Sequence, residues 1–88
     1  MTELPEHRIK RLVMRSMRRG IKEMDIILSA YATENLVKMD ETTITLYDRL
    51  LDENDQDLYQ WVTGQVAAPE RFGQMIAEIS VQMQGIKA

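Results

Sequence analysis

The sequence predicts an all-α fold, a compact five-helix single domain. Apolar side chains recur every three to four residues in five segments of the 88-residue chain, as expected of helices that bury one face. There is no strand-length alternation of apolar and polar residues, and no Asn-Gly or Asp-Gly dipeptide marks a hairpin. A chain of this length supports one hydrophobic core, so we expect one domain over residues 1–88, with flexible ends at roughly residues 1–4 and 85–88.

Proline, glycine and aspartate mark the limits of the first three helices. Pro5 suits the first turn of a helix over residues 5–18, because a proline there sacrifices no helical hydrogen bond. Gly20 then interrupts the periodicity, and a second helix begins around Ile21. Asp40 is an N-cap residue for the third helix.

Similar signals delimit the last two helices. Asn54 or Asp55 caps a short fourth helix, which Gly64 ends, and Pro69 opens a fifth helix that ends near Gly85. Larger side chains in apolar phase are expected to fill the core. These are Met14, Met17, Met24, Met75, Met83 and Trp61.

The residues needed for catalysis or metal binding are scarce. The chain has one histidine, His7, and no cysteine, so neither a histidine with a thiol nucleophile nor a thiolate zinc site can form. A calcium loop starting at Asp52 would need Gly and Glu where Asp57 and Thr63 stand. We therefore expect a protein that is not an enzyme, binds no metal and holds no cofactor stably.

The chain lacks the sequence features of a membrane or secreted protein. Its longest apolar run, residues 26–32, is far shorter than the roughly 20 residues that cross a bilayer. No apolar signal segment follows the N-terminus, so the chain is interpreted as mature from Met1. The absence of cysteine suits a reducing compartment. These features predict a cytoplasmic protein of bacterial type, with no membrane span and monomeric when free.

Charge is distributed unevenly along the chain. Residues 1–25 carry seven basic and four acidic groups, whereas residues 26–88 carry four and ten, so the two parts have net charges of +3 and −6. Five arginines form a cationic stripe on the first helix, opposite its apolar face: Arg8, Arg11, Arg15, Arg18 and Arg19. The stripe could be a solvated face, a nucleic-acid site or a protein-binding site. The acidic pI of about 5.1 argues against nucleic acid.

The stripe leads into residues 18–25, where cations, a glycine and two carboxylates converge at one helix junction. A purely structural role is plausible, because Gly20 permits a turn and Glu23 lies near the positive end of the second helix dipole. The residues alone favour this role and leave a binding role open. In the binding role, Arg19 and Glu23 are expected to be exposed.

This junction resembles the signature of the succinate dehydrogenase assembly factor family, the FAD assembly or flavinylation factors. Arg19, Gly20 and Glu23 match its Arg-Gly-x-x-Glu motif. Further matching residues precede and follow the motif, and the likeness covers residues 8 to about 64. They are Arg11-Leu12, Arg15-Ser16, Met24-Asp25, Leu50-Leu51, Asp55, Asp57-Leu58 and Trp61.

The resemblance implies a helical assembly factor that binds the flavoprotein subunit of succinate dehydrogenase, or the related subunit of fumarate reductase, and promotes covalent attachment of FAD. FAD would be carried by the partner, whose own groups would perform the chemistry. The implied contacts are Arg19, Gly20 and Glu23, flanked by Arg18 and Asp25, with the stripe residues Arg15, Arg11 and Arg8 as further contacts.

Two other classes of function stay open. One is a basic-stripe binder of an acidic ligand. The other is a helical regulator, such as an antitoxin-like partner of a small membrane protein.

Overall fold

The computed structural model describes residues 4–87, and over this range it confirms the predicted all-α fold. Five helices follow one another, α1 (Pro5–Ser16), α2 (Lys22–Asn35), α3 (Glu41–Leu50), α4 (Asp55–Val62) and α5 (Gly73–Lys87), with 3₁₀ turns at Leu36–Lys38 and Glu70–Phe72. No strand occurs in this range. Of the ends expected to be flexible, residues 1–3 and 88 lie outside the described residues.

Side-chain caps define the helix limits where the sequence predicts them. Asp40 accepts a hydrogen bond from the Thr43 N–H at 2.8 Å, and Asn54 accepts one from the Gln56 N–H at 2.8 Å. Each cap satisfies one of the N–H groups that a first helical turn leaves unpaired. Gly64, with φ of 82°, follows α4 in the left-handed conformation that favours glycine.

Three predicted limits are wrong by a few residues. α1 ends at Ser16 instead of residue 18, because the chain turns there and Arg19 is bonded to other elements. Pro69 precedes a 3₁₀ turn, and α5 begins only at Gly73. α5 also continues through Gly85 to Lys87, since one glycine costs a helix only about 1 kcal/mol.

All five helices contribute to one hydrophobic cluster. Its fully buried large side chains include Tyr31, Tyr47 and Phe72, and the two tyrosine rings lie 5.8 Å apart. Within residues 4–87, none of the helices combines the length and the apolarity that crossing a membrane requires.

The predicted core is correct for three methionines and wrong for three other residues. Met24, Met75 and Met83 are buried. Met14 and Met17 are 45% and 52% exposed, because they lie on the side and end of α1 that no helix covers. Trp61 is only partly buried, since its ring packs from outside on Phe72, with 6.2 Å between ring centroids.

A buried hydroxyl network joins α1, α2 and α3. The Tyr47 hydroxyl is hydrogen-bonded to the Ser16 hydroxyl at 2.6 Å and lies 3.3 Å from the Leu28 carbonyl. Ser16 donates in turn to the Leu12 carbonyl at 2.8 Å. Burial raises the pKa of Tyr47 to about 12, although the Ser16 hydrogen bond and nearby arginines oppose the rise.

This raised pKa predicts a loss of stability in alkali. The unfolded chain releases the tyrosine proton near pH 10, whereas the folded chain keeps the Tyr47 proton until about pH 12. The contribution of Tyr47 to the free energy of unfolding is therefore complete below pH 10 and declines as the pH rises from 10 towards 12. Urea unfolding at several pH values should show a shallower alkaline decline for Tyr47→Phe than for the parent. Tyr59→Phe, at a partly buried tyrosine, should keep the parental decline, and equal slopes for all three proteins would contradict the prediction.

Candidate partner-binding site

The α1–α2 junction, residues 17–21, is tied to the α3–α4 loop by the side chain of Arg19. This side chain is only 10% exposed. Its Nε donates to Asp55 Oδ1 at 2.6 Å, and its two terminal nitrogens donate to the carbonyls of Leu51 at 2.7 Å and Glu53 at 3.0 Å. These carbonyls follow the end of α3, where helices leave acceptors unpaired. The expectation that Arg19 is exposed is therefore wrong.

Gly20 shares the Asp55 carboxylate with Arg19. Its N–H donates to Asp55 Oδ2 at 2.5 Å, so one carboxylate receives a side-chain donor and a backbone donor from adjacent residues. A Cβ atom on Gly20 would lie 3.0 Å from Oδ2. A larger residue would therefore crowd this carboxylate, whereas Gly20 does not, and the φ of Gly20 is not positive.

A second carboxylate fixes the same turn from α2. Asp25 Oδ1 accepts a hydrogen bond from the backbone N–H of Arg19. Successive N–H groups of residues 19 and 20 are therefore bonded to aspartates on two different helices. This arrangement determines the path of the backbone between α1 and α2.

The cationic stripe continues along α1 as a ladder of ion pairs with α3. Asp48 lies 3.9 Å from Arg8, 3.2 Å from Arg11 and 2.8 Å from Arg15, and Arg15 also reaches Asp52 at 2.8 Å. We call these contacts, together with the Arg19–Asp55 pair, the arginine–aspartate ladder. Most of the cations that the sequence places on one face are therefore bonded within the molecule.

The predicted site residues divide into two groups. Those whose side chains are bonded internally are Arg8, Arg11, Arg15, Arg19 and Asp25. Those exposed at the junction are Arg18, Gly20 and Glu23. Within residues 4–87, neither the Arg18 guanidinium nor the Glu23 carboxylate forms a hydrogen bond or an ion pair.

An open depression of about 490 Å³ lies beside the junction. Its lining residues are Arg11, Met14, Arg15, Arg18 and Arg19. Among these residues, the exposed Met14 contributes apolar surface to an otherwise cationic depression. Such a surface suits contact with a protein that offers both acidic and apolar side chains.

Asp48, Asp52 and Asp55 were not predicted as part of the site. Only Asp55 had a signal in the sequence, because it belongs to the second matching block of residues, but the one-dimensional pattern does not pair it with Arg19. Among the residues that the structure describes, no three His, Cys, Asp or Glu side chains are grouped to hold a metal ion. His7 is exposed on the first turn of α1.

The fold and site define a class of small helical protein with a charged surface whose residues are held by internal ion pairs and hydrogen bonds. Sequence comparison identifies the family: the profile described as "Flavinator of succinate dehydrogenase" matches residues 10–83, and the chain belongs to this family. Curated proteins similar to the chain are named as succinate dehydrogenase assembly factors.

Three curated relatives carry the name "Succinate dehydrogenase assembly factor 2, mitochondrial". The relative from Schizosaccharomyces japonicus is 47% identical over 62 residues, 70% of this chain and 43% of the relative. The relative from Schizosaccharomyces pombe is 38% identical over 74 residues, which make up 82% of this chain and 53% of the relative. The relative from Saccharomyces cerevisiae is 47% identical over 53 residues, which make up 60% of this chain and 33% of the relative. The chain thus spans about half or less of the length of these relatives.

The relatives correct one expectation. The sequence predicts a cytoplasmic protein of bacterial type, but the curated relatives are named as mitochondrial proteins. The expected location is therefore wrong. Composition cannot separate the two compartments, because a cysteine-free chain suits both.

Proposed function

We propose that this chain binds the flavoprotein subunit of succinate dehydrogenase, or the related subunit of fumarate reductase, and promotes covalent attachment of FAD to it. The covalent bond forms within the flavoprotein subunit, and FAD stays with that subunit. The chain itself binds no cofactor stably, acts as a monomer when free, and favours the conformation of its partner from which attachment proceeds.

One observation carries the proposal: Arg18 and Gly20 of the α1–α2 junction and Glu23 in the first turn of α2 are exposed, while Arg19 is bonded internally. Charged side chains that form no hydrogen bond or ion pair within the described residues are available to a partner. Exposed Met14 adds apolar surface beside Arg18 in the same depression. Cation, carboxylate and methionine together provide the mixture of contacts that protein interfaces use.

The first test is the yield of covalent flavin. The flavoprotein subunit is produced with and without this chain, denatured, and examined for flavin fluorescence that remains attached to the polypeptide. The chain should increase this fluorescence and should be captured by the subunit. Equal fluorescence with and without the chain, together with no capture, would overturn the proposal.

The second test assigns the effect to the junction. Glu23→Ala should weaken capture about 30-fold or more, since truncating a charge buried at an interface commonly costs about 2 kcal/mol or more. Glu41→Ala is a matched control, because Glu41 is also an exposed carboxylate in the first turn of a helix. Both variants should melt like the parent. If both were captured as well as the parent, Glu23 would not be a contact.

A further inference from the structure

We propose that Asp55 is a positioning residue: through Arg19 and Gly20 it holds the α1–α2 junction in the shape that the partner recognises. The inference rests on the proposed function, which it deepens by naming a residue of α4 that makes the junction competent to bind. Neither the exposed surface nor the Arg-Gly-x-x-Glu motif includes this residue.

The geometry of the Asp55 carboxylate supports this role. Its two oxygens accept from two donors of adjacent residues, Oδ1 from Arg19 Nε at 2.6 Å and Oδ2 from Gly20 N–H at 2.5 Å. The carboxylate therefore fixes both a side chain and the backbone of the junction. Bonds to a charged acceptor are among the stronger hydrogen bonds in proteins, which makes this restraint firm.

The position of the restraint links it to recognition. Residue 20, which Asp55 holds, lies between the exposed residues Arg18 and Glu23. The spacing of these two charges depends on the path of the backbone between them, and that path is fixed by Asp55 and, through the Arg19 N–H, by Asp25. Loss of the Asp55 restraint would leave both charges present but no longer preorganised, which weakens binding.

The same contact explains why residue 20 is a glycine. A Cβ atom there would lie 3.0 Å from Asp55 Oδ2, closer than most side-chain contacts. An alanine would push against the carboxylate from which the backbone N–H of the same residue takes its hydrogen bond. Gly20 and Asp55 should therefore act as one unit.

The first experiment compares two aspartates of one helix. Asp55→Asn removes the charge that binds Arg19, and Asp57→Asn is a matched control, because Asp57 lies in the same first turn of α4 and is exposed. Capture by the flavoprotein subunit should weaken at least tenfold for Asp55→Asn and stay parental for Asp57→Asn. The Gly20 amide proton resonance should shift in the first variant only. Binding is measured at a temperature where circular dichroism shows both variants fully helical.

A mutant cycle provides the second experiment. Gly20→Ala should weaken capture, and it should do so far less in an Asp55→Ala background, because the crowded oxygen is then absent. If instead the fold-losses of capture of the two single variants multiply in the double variant, the partner contacts Gly20 directly and Asp55 does not act through it.

Each outcome decides one of the two proposals. Parental capture of Asp55→Asn would overturn the positioning role and leave the proposed function intact. An Asp55→Asn chain that is unfolded at every temperature would show a purely structural role and would also overturn it. Failure of the parent chain itself to be captured would overturn the proposed function, and with it the positioning role.

Discussion

Replacing Arg19 with alanine is expected to destabilise the protein by about 2 to 3 kcal/mol. The Arg19 side chain is 10% exposed and donates to Asp55, Leu51 and Glu53, so its removal leaves a largely buried carboxylate with the Gly20 N–H as its remaining donor and deprives two carbonyls of their side-chain donor. Loss of a fully buried partner would cost more, but Asp55 retains 19% exposure and can be partly hydrated. Thermal melting followed by circular dichroism should show a midpoint lower by about 10 to 20 °C for a chain of this size.

Glu23→Ala is the matched control for this experiment, because it changes the other charge of the same motif. Glu23 is exposed, and substitutions at such positions usually change stability by less than about 0.5 kcal/mol. The two variants should therefore differ in melting although both reduce partner capture. Parental melting of Arg19→Ala would show that the internal bonds of Arg19 contribute little.

Phe72→Ala is expected to cost about 3 to 5 kcal/mol, as large aromatic deletions in a core do. Phe72 is fully buried at the end of a 3₁₀ turn, and Arg71 lies over its ring at 4.6 Å from the centroid. Urea unfolding should therefore give a much lower midpoint for this variant, with the protein close to its limit of stability at 37 °C.

Trp61→Ala should cost clearly less, about half as much, even though tryptophan is the larger residue. Its side chain is only partly buried, so truncation removes less buried surface and leaves a smaller cavity than at Phe72. The expected order of stability is parent, Trp61→Ala, Phe72→Ala. A Trp61→Ala midpoint below that of Phe72→Ala would place Trp61 in the core after all.

The features that could be predicted from the sequence are those with a local cause. Asp40, Asn54 and Gly64 act within three residues of themselves, so their roles at helix ends are visible in the pattern. The phase of apolar residues likewise identifies the buried face of α2. The same phase could not show that Met14 is exposed, because periodicity does not say which part of a face another helix covers.

The contacts within the candidate site could not be predicted from the sequence. Residues 18–25 do lie around the α1–α2 junction that Gly20 marks. The partners of Arg19, however, lie 32 to 36 residues along the chain, and a run of arginines gives no sign of which one turns inward. Residue 19 therefore looks like its neighbour Arg18 in the sequence, although the Arg19 side chain is only 10% exposed and Arg18 is exposed.

The arginine–aspartate ladder also affects which molecules the chain discriminates against. Each aspartate of the ladder occupies an arginine that would otherwise attract any polyanion, so a passing nucleic acid or phosphorylated ligand must compete with a carboxylate that is already in place. This competition between the ladder carboxylates and an incoming anion weakens the binding of ligands that offer only negative charge. A partner whose shape matches the junction gains contacts that do not require the ladder to open. The pairs along α1 thus convert a stripe of general cationic attraction into a surface that selects by fit.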